Sequence, residues 1–440
     1  MAEQRKPRQH ATEAAAKIPK MVRASITECL QAKEEGKPIA YTFISSNYDE
    51  IFRAMDIVPM WVENYAGVCA AKRDANRFLE RAESESFSRS LCTYATCCLG
   101  FDAWREELDE MPPEAPWGGL VKPDMMLGSG QLICDPRYKW FQAAQHYMPE
   151  VPVYVADVPW PPFESDVDSS EVQDYYAKYI TAQLRGMVEF LERVTGKKMD
   201  WDRLSEVVDL ANRTWTLIWD TYDLRRAVPT PMGTGDAMNT MVPICFMMGT
   251  QEAYDFFKDL NEELKDKINN KIGVIADEKY RLLWGGGLPA WFALNDFTYF
   301  NSKGATFPVE VTYRMVEPVD RLNIPKVSDP LEFLAWRWTK YQTYRHDKAR
   351  KRPGSHPDVE RLIEYIEDYK IDGVVMHEAF SCRSWHPGLI WQLELLKKVY
   401  RDIPSLILES DIVDMSSYSE ADTHNRIDAF LETIESVKSR

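Results

Sequence analysis

Two of the eight cysteines, Cys134 and Cys382, occupy equivalent places in a repeated pattern. Each follows a short apolar run, and each lies ten residues after an aspartate, Asp124 or Asp372. Thiolates are the usual protein ligands of zinc ions and iron–sulfur clusters. The pattern therefore predicts two similar lobes, each with a cysteine at the carboxyl end of a strand, and metal ligation is one chemistry open to these thiols.

Acidic residues close the same repeat. In each copy a helical stretch follows the cysteine, a second apolar run begins after a proline, and an acid stands five residues beyond that proline. These acids are Asp157 after Pro152 and Glu409 after Pro404. Loops at the carboxyl ends of neighbouring parallel strands line the ligand crevice of an open sheet. We therefore expect the acids and the cysteines to border one crevice.

Four side chains near Cys382 are candidate proton donors. His377 and Glu378 stand before the cysteine, and Glu409 and Asp411 follow the next apolar run. Desolvation raises the pKa of a carboxyl group, which allows it to donate a proton near neutral pH. Helix capping and solvation of the sheet edge are the alternative interpretations of these residues.

Three further residues are candidates for substrate binding. Ser45 and Ser46 follow the first apolar strand and can face the same crevice, or they can serve as helix N-caps. Gly286 lies in a run of three glycines just before Pro289, where backbone amides can approach a phosphate at a helix start. A tight turn is the alternative explanation of the glycine run.

A third cysteine of interest is Cys92, which stands 42 residues before Cys134. Because another 248 residues separate Cys134 from Cys382, and no Cys-x-x-Cys pair exists, the spacing excludes a zinc ribbon and a ferredoxin pattern. Tertiary structure would have to gather these thiols, and plain burial is the alternative. Cys97 or Cys98, which follow closely, can take the place of Cys92, although core packing also explains both. The remaining three cysteines are expected to be structural: Cys29, Cys69 and Cys245.

The elements that must position these residues alternate between strands and helices, which predicts an α/β fold with two doubly wound parallel-sheet lobes. We divide the chain into an N-terminal helical arm (1–35), a first α/β lobe (36–168, with a helical stretch at 70–110), a helical segment (169–271) and a second α/β lobe (272–440). The basic segment 345–352 is predicted to be a surface loop.

The overall composition and charge limit the classes of binding partner that the protein can have. The 440 residues carry a net charge of −16, which disfavours nucleic acid or an anionic membrane as the main partner, although a local basic pocket for a phosphorylated ligand remains compatible. The N-terminus lacks the apolar core of a signal peptide, and no apolar run is long enough to span a bilayer. We therefore expect a cytoplasmic protein without a disulfide framework.

In order and spacing, several segments resemble a known family, the subunits of 2-hydroxyacyl-CoA dehydratases and of ATP-dependent benzoyl-CoA reductases. The resemblance covers residues 37–414, and residues 127–135 and 381–385 look most similar to the B subunit of the class I benzoyl-CoA reductases. The segments that carry it are residues 91–100 with Cys92, Cys134, residues 281–304, residues 372–375 with Cys382, and residues 408–411.

The resemblance implies flavodoxin-like lobes and one 4Fe–4S cluster held by Cys92, Cys134 and Cys382, with the fourth iron open or bound by a non-cysteine ligand. It also implies a heterodimer with a related second catalytic subunit. A separate ATP-hydrolysing iron–sulfur activator, itself reduced by ferredoxin, would supply single electrons. ATP would then be used by the activator and not bound by this chain, whose substrate would be an acyl-CoA.

The first hypothesis is therefore a subunit of an ATP-dependent aryl-CoA reductase, which converts benzoyl-CoA to a cyclohexadiene carbonyl-CoA by single-electron steps in anaerobic aromatic degradation. The second is a 2-hydroxyacyl-CoA dehydratase subunit, which eliminates water by radical chemistry. A third is a non-catalytic electron-relay or scaffold subunit, and a fourth is a zinc-binding structural protein. Iron and sulfide content separates the fourth from the others.

Overall fold

The computed structural model of the protein describes residues 11–44, 48–129, 134–161, 163, 166–167, 169–314, 317–344, 346–352, 355–384 and 388–439. The strands are β1 (Ile39–Thr42), β2 (Val58–Trp61), β3 (Met125–Ser129), β4 (Val153–Ala156), β5 (Tyr280–Gly285), β6 (Ala305–Glu310), β7 (Gly373–Ala379) and β8 (Ser405–Ser410). The helices are α1 (Glu13–Glu34), α2 (Asp49–Ala54), α3 (Val62–Ala71), α4 (Asn76–Ser84), α5 (Thr93–Leu108), α6 (Asp135–Tyr147), α7 (Ser170–Thr195), α8 (Trp201–Leu224), α9 (Thr234–Ala237), α10 (Met241–Cys245), α11 (Gln251–Asn269), α12 (Asp296–Ser302), α13 (Val319–Leu322), α14 (Pro330–Thr343), α15 (His346–Arg350), α16 (Pro357–Tyr369), α17 (Leu389–Val399) and α18 (Glu420–Lys438).

The strands form two four-stranded parallel sheets with the same topology. The first sheet has the order β2-β1-β3-β4 and the second has the order β6-β5-β7-β8. This order matches the first four strands of the flavodoxin-like doubly wound sheet. The strands fall inside the two predicted lobes, 36–168 and 272–440, and the predicted α/β fold class with two parallel-sheet lobes is confirmed.

The two repeated aspartates, Asp124 and Asp372, make equivalent hydrogen bonds in their lobes. One Asp124 carboxylate oxygen accepts the Ile39 N–H at 2.8 Å, and one Asp372 oxygen accepts the Arg281 N–H at 2.9 Å. In return, the backbone N–H of Asp124 donates to the Ile39 carbonyl, and that of Asp372 donates to the Arg281 carbonyl. Each aspartate therefore fixes a central strand, β1 or β5, against the start of its neighbour, which explains why the sequence repeats it.

The repeated prolines also have equivalent partners. The Pro152 carbonyl accepts the Met126 N–H and the Pro404 carbonyl accepts the Val374 N–H, both at 2.9 Å. These bonds set the register of β3 with β4 and of β7 with β8, because parallel strands bond through evenly spaced, slanted pairs. The offsets in the sequence thus reflect two copies of one strand–helix–strand unit.

Two buried ion pairs join parts of the chain that lie far apart in sequence. Arg225, at the end of α8, lies 2.7 Å from Glu310 of β6, and Arg337 of α14 lies 2.8 Å from Glu50 of α2. All four side chains are almost completely buried. Helix α14 also packs along α7. The helical segment and the two lobes therefore share packed interfaces.

Two local predictions differ from the structure. The predicted loop at 345–352 contains the short helix α15, in which Ala349 is buried and gives the segment a contact with the core. The helix expected to open at Pro289 begins at Asp296, because the intervening chain turns toward β8 and the Trp291 N–H donates to the Ile412 carbonyl at 3.2 Å. Within the described ranges, no helix combines the length and the apolar composition that a bilayer crossing needs.

Candidate cysteine site

Two of the three predicted ligand cysteines stand at helix N-termini. Cys92 is the N-cap residue of α5 and Cys134 is the N-cap residue of α6. Burial raises the pKa of both thiols, to about 12 for Cys134, and hydrogen bonds from the backbone of Ala95 and Arg137 lower it in part. The positive end of each helix therefore faces a sulfur atom and offsets part of the effect of burial on the thiolate.

Cys382 lies in the turn after β7, where its N–H donates to the Ala379 carbonyl at 3.0 Å. After burial, the charges of Cys134 and Cys382 are the next largest influences that raise the pKa of Cys92, and Cys382 also raises that of Cys134. The structure therefore brings the three predicted thiols into electrostatic contact at one partly exposed place. Among the described residues, no group of three or more His, Cys, Asp or Glu is arranged to hold a single metal ion.

Asp411 ties together the two chain segments that carry Cys92 and Cys382. Its carboxylate accepts the Thr93 hydroxyl at 2.5 Å and the Ser381 N–H at 3.1 Å. The Thr93 N–H donates in turn to the Ser381 hydroxyl at 3.2 Å. Because Thr93 and Ser381 are the direct neighbours of the two cysteines, the buried Asp411 fixes the start of α5 against the turn after β7.

A buried ion pair beside Cys134 was not among the residues selected from the sequence. Glu63 and Arg137 form a two-point contact, with N–O distances of 3.1 and 2.8 Å. The backbone of Ile44 bonds to both, its N–H to Glu63 and its carbonyl to Arg137, each at 2.8 Å. The available signals were an acid inside the apolar run of α3 and an arginine three residues after a candidate ligand.

This ion pair shapes the charge at the thiols. Beyond burial, Arg137 lowers the pKa of Cys134, whereas Glu63 raises the pKa of Cys134 and of Cys92. One guanidinium nitrogen, Nη1 of Arg137, is buried without a hydrogen-bond partner among the described residues. A buried donor of this kind favours an acceptor close by, because an unpaired buried N–H costs about 1–3 kcal/mol.

The predicted proton donor His377 is fixed inside the second lobe. Its Nδ1 lies 2.6 Å from the Leu288 carbonyl, its Nε2 lies 2.8 Å from the Ser410 hydroxyl, and its ring stacks on Trp284. Since a carbonyl only accepts, Nδ1 carries a hydrogen and donates it to Leu288. His377 therefore links β7, β8 and the glycine loop after β5.

Two other predicted donors, Glu378 and Glu409, lie side by side on neighbouring strands. They are register partners in β7 and β8. The Glu409 side chain is half exposed and pairs with Arg426 at 3.2 Å. Its counterpart in the first lobe, Asp157, is also exposed and accepts the Tyr179 hydroxyl at 2.7 Å. The Glu409 side chain therefore lies at the surface, next to α18.

Of the candidate substrate-binding residues, Gly286 is the one that the structure describes. Gly286 has a φ of +77°, and a Cβ there would lie 2.4 Å from the His377 carbonyl oxygen. Glycine is therefore required by the close approach of the loop to β7. Ser45 and Ser46 lie outside the described residues, so their predicted role stays a prediction. The five cysteines not assigned to the site are all buried: Cys29, Cys69, Cys97, Cys98 and Cys245.

The sequence matches a family model over most of its length. The model describes the D-component of 2-hydroxyglutaryl-CoA dehydratase and covers residues 48–434. This chain belongs to that family. The match includes all three candidate ligand cysteines and most of both lobes, so the resemblance inferred from the sequence is confirmed.

Curated relatives of this D-component family member are named as enzyme subunits. The alpha subunit of (R)-phenyllactyl-CoA dehydratase from Clostridium sporogenes is 25% identical over 93% of this chain and 92% of the relative. The B subunit of benzoyl-CoA reductase from Thauera aromatica is 24% identical over 95% and 94%. The alpha subunit of (R)-2-hydroxyisocaproyl-CoA dehydratase from Clostridioides difficile is 27% identical over 93% of each chain.

The cysteine site of this D-component family member has the chemistry that an iron–sulfur cluster requires. Three cysteines from separate segments supply sulfur atoms, the ligand type that such clusters bind as thiolate. Two helix N-termini and the guanidinium of Arg137 supply positive charge beside them, and Arg137 keeps an unused donor. The residues present therefore fit a cluster with three cysteine ligands.

Proposed function

We propose that this chain is the iron–sulfur subunit of an enzyme that acts on an acyl-CoA, with Cys92, Cys134 and Cys382 holding a 4Fe–4S cluster. The observation that carries the proposal is the gathering of these three thiols from segments up to 290 residues apart. When bound, such a cluster transfers single electrons at a potential set by its surroundings. The names of the relatives support an acyl-CoA as the substrate.

The residues of the chain have separate roles in this proposal. Asp411 positions the segments of Cys92 and Cys382 through Thr93 and Ser381. Arg137 and the start of α6 offset negative charge at Cys134, which favours the ligating thiolate. The three cysteine residues are only partly buried as residues, which leaves this place open to a substrate from one side in our proposal.

Within this class, we propose reduction of an aryl-CoA as the first candidate reaction, with benzoyl-CoA converted to a cyclohexadiene carbonyl-CoA. The full-length match to the B subunit of benzoyl-CoA reductase supports it. Ring reduction consumes protons, for which His377, Glu378, Glu409 and Asp411 are the proposed donors. Asp411 is the first to test, because it contacts the neighbours of two cysteines.

The second candidate is water elimination from a 2-hydroxyacyl-CoA. The specific observation in its favour is that two relatives with equal coverage and similar identity are named as alpha subunits of such dehydratases. For both reactions we propose a heteromeric enzyme, with a related second subunit and an ATP-hydrolysing iron–sulfur activator fed by reduced ferredoxin. The names of the relatives, which designate them as B or alpha subunits, support the heteromeric assembly.

The deciding experiment is anaerobic purification of the chain with its partner subunit, followed by iron and sulfide analysis and by turnover of two substrates. We expect about four irons and four sulfides per cluster-bearing chain. Consumption of two electrons per benzoyl-CoA supports the reductase, whereas loss of water from an (R)-2-hydroxyacyl-CoA with catalytic amounts of electrons supports the dehydratase. Zinc in place of iron, or a cluster spectrum that no acyl-CoA perturbs, would contradict the proposal.

A further inference from the structure

The guanidinium group of Arg137, beside Cys134, has one nitrogen atom that makes no hydrogen bond to the described residues. Its Nε and Nη2 donate to the two carboxylate oxygens of Glu63 at 3.1 and 2.8 Å, and Nη2 also donates to the Ile44 carbonyl at 2.8 Å. The remaining nitrogen, Nη1, carries two hydrogen atoms and is buried. Because leaving a buried donor unpaired is unfavourable, we expect its acceptor to be a bound group.

The bonds to Glu63 and Ile44 also fix the direction of Nη1. The guanidinium is planar, and Glu63 takes the edge formed by Nε and Nη2. Nη1 is the corner opposite that edge, so it points away from the carboxylate. The centre of the Phe43 ring lies 5.2 Å from the guanidinium carbon, and Arg137 is only 4% exposed. The unpaired donor therefore lies inside the protein and does not reach bulk water.

Arg137 and Cys134 belong to the same turn at the start of α6, and the backbone N–H of Arg137 donates to the Cys134 sulfur. Burial is the largest influence on the pKa of Cys134 and raises it. The charge of Arg137 comes next and lowers that pKa, more strongly than the charge of Glu63 raises it. The ion pair therefore presents its positive member to Cys134.

We propose that Nη1 of Arg137 donates a hydrogen bond to a sulfur atom of the iron–sulfur cluster, an inference that rests on the proposed function. Hydrogen bonds to cluster sulfur and nearby positive charge favour the reduced, more negative state, and so they raise the reduction potential. Arg137 holds no iron in this assignment. Its role is to set the potential at which the site accepts an electron.

Glu63 opposes this effect from the other side of the guanidinium. Loss of the Glu63 charge should raise the reduction potential, whereas loss of the Arg137 donor should lower it. Both side chains are buried, so dissolved salt screens their charges only weakly. A general loosening of the site would shift the potential in the same direction in both variants, so opposite shifts identify an effect of charge and hydrogen bonding.

The test uses the complete enzyme, purified without oxygen together with its partner subunit and its iron. A redox titration followed by electron paramagnetic resonance should give a more negative potential for Arg137→Lys, because one ammonium cannot bond Glu63 and a sulfur on opposite sides, and a more positive one for Glu63→Gln. With arginine labelled by a heavy nitrogen isotope, pulsed resonance on the reduced wild type should show a nitrogen coupling that Arg137→Lys loses. The control is Arg105→Lys, a buried arginine that pairs with Asp102 at 3.1 Å and lies about 18 Å along α5 from Thr93. Its potential and coupling should match those of the wild type.

Each outcome decides a different point. An unchanged potential or an unchanged coupling in Arg137→Lys would overturn the role of Arg137 and leave the proposed function intact. An equal shift in Arg105→Lys would mean that loss of any buried arginine has this effect, and would also overturn it. If Arg137→Lys loses its iron, the other two measurements decide: a potential that does not rise in Glu63→Gln, or a wild type without the coupling, overturns the assignment. A wild-type enzyme without iron would instead contradict the proposed function, and the inference with it.

Discussion

At the level of single residues, the site depends on side chains that act through their neighbours. Asp411 was selected from the sequence as a proton donor because it lies in an acidic exit after β8. The structure shows four groups donating to its carboxylate: Thr93, Ser381, Val413 and Asp414. A carboxylate that accepts this many hydrogen bonds has a positioning role whether or not it also moves a proton.

We expect Asp411→Asn to lower the free energy of unfolding by about 2–3 kcal/mol, because the amide cannot accept at both of its atoms and a charge-assisted bond is lost. The variant should also lose iron faster under chelation, since the segments of Cys92 and Cys382 are less firmly held. Chemical denaturation and iron release measure the two effects. Asp157→Asn, an exposed acid after β4, is the control, and equal iron release by both variants would refute the positioning role.

For the thiols themselves, Cys134→Ala and Cys382→Ala should each lose most cluster iron and all turnover while the chain stays folded. The reason is that a cluster with two cysteine ligands is held too weakly to survive purification. Circular dichroism and iron analysis check this result. Cys29→Ala, a buried thiol bonded to the Ser25 carbonyl, is the matched control. Full iron content in both site variants would remove the ligand assignment.

These residues also show what a sequence can reveal. Cys134 and Cys382 could be predicted because a duplicated unit repeats their spacing, and such a repeat can be recognised in the sequence alone. Glu63 and Arg137 were missed because the pair forms only when α3 and α6 meet at Ile44, a contact between segments 74 residues apart. The helix and strand propensities of the residues carry no information about such a tertiary contact.

At the level of elements, the glycine loop after β5 shows how a packing requirement and a binding motif can share one sequence pattern. The sequence left a phosphate-binding turn and a tight turn open at Gly286, and the structure places the residue against the backbone of His377. Helix α14 was not predicted, because its aromatic and basic residues obscure the helical period. Helix α16 was not predicted either, although Val359, Leu362, Ile363 and Ile366 follow a regular helical period. Strand positions were predictable, since buried parallel strands are short apolar runs.

We expect Gly286→Ala to destabilise the protein by more than about 3 kcal/mol, because a positive φ and a backbone clash act together. Gly36→Ala is the control. Its φ of +69° is similar, yet a Cβ there meets nothing within 4 Å, so the loss should stay near about 1 kcal/mol. Thermal denaturation compares the two. Equal losses would show that the contact with His377 is unimportant.

Helix α5, which begins after Cys92, makes stability depend on pH through Asp102. Burial raises the pKa of Asp102 to about 6, and Arg105 and Tyr41 offset only part of that effect. An acid whose folded pKa exceeds its unfolded value of 3.8 binds a proton on folding. The stability it contributes is therefore complete below about pH 4 and is lost as the pH rises through 6.

We expect the free energy of unfolding to fall by up to about 3 kcal/mol across that window in the wild type, with a smaller fall in Asp102→Asn. Denaturant titrations at pH 4, 5, 6 and 7 measure the difference between the two proteins. Parallel curves for wild type and variant would exclude Asp102 as the source. Asp109→Asn, just beyond the end of α5, is the control for helix charge.

At the level of the whole molecule, the two lobes have the same strand topology. The contacts that join them, however, have no counterpart in the repeated unit. The fold class followed from alternation of strands and helices, whereas the packing of α14 against α7 and α8 did not, because these helices lie far from it in sequence. The buried pair of Arg337 with Glu50 adds a contact between α14 and α2. Removing one partner of such a pair leaves a buried charge uncompensated, typically at about 3–5 kcal/mol.

We therefore expect Arg337→Met to lower stability by about 3–5 kcal/mol and to separate the unfolding of the lobes into two calorimetric transitions. The exposed pair Lys198–Glu192 provides the control, since Lys198→Met should cost less than about 1 kcal/mol. Scanning calorimetry distinguishes the two variants. One cooperative transition in Arg337→Met would show that other contacts couple the lobes.

The placement of the three cysteines also sets a timetable for biosynthesis. Cys382 is synthesised 248 residues after Cys134, and Asp411 later still. At about 5–20 residues per second, the first lobe exists for roughly 10–50 s before the third thiol is made. Only a chain that has been translated through the second lobe presents all three sulfur atoms, so the proposed cluster can be inserted only after that lobe has been made.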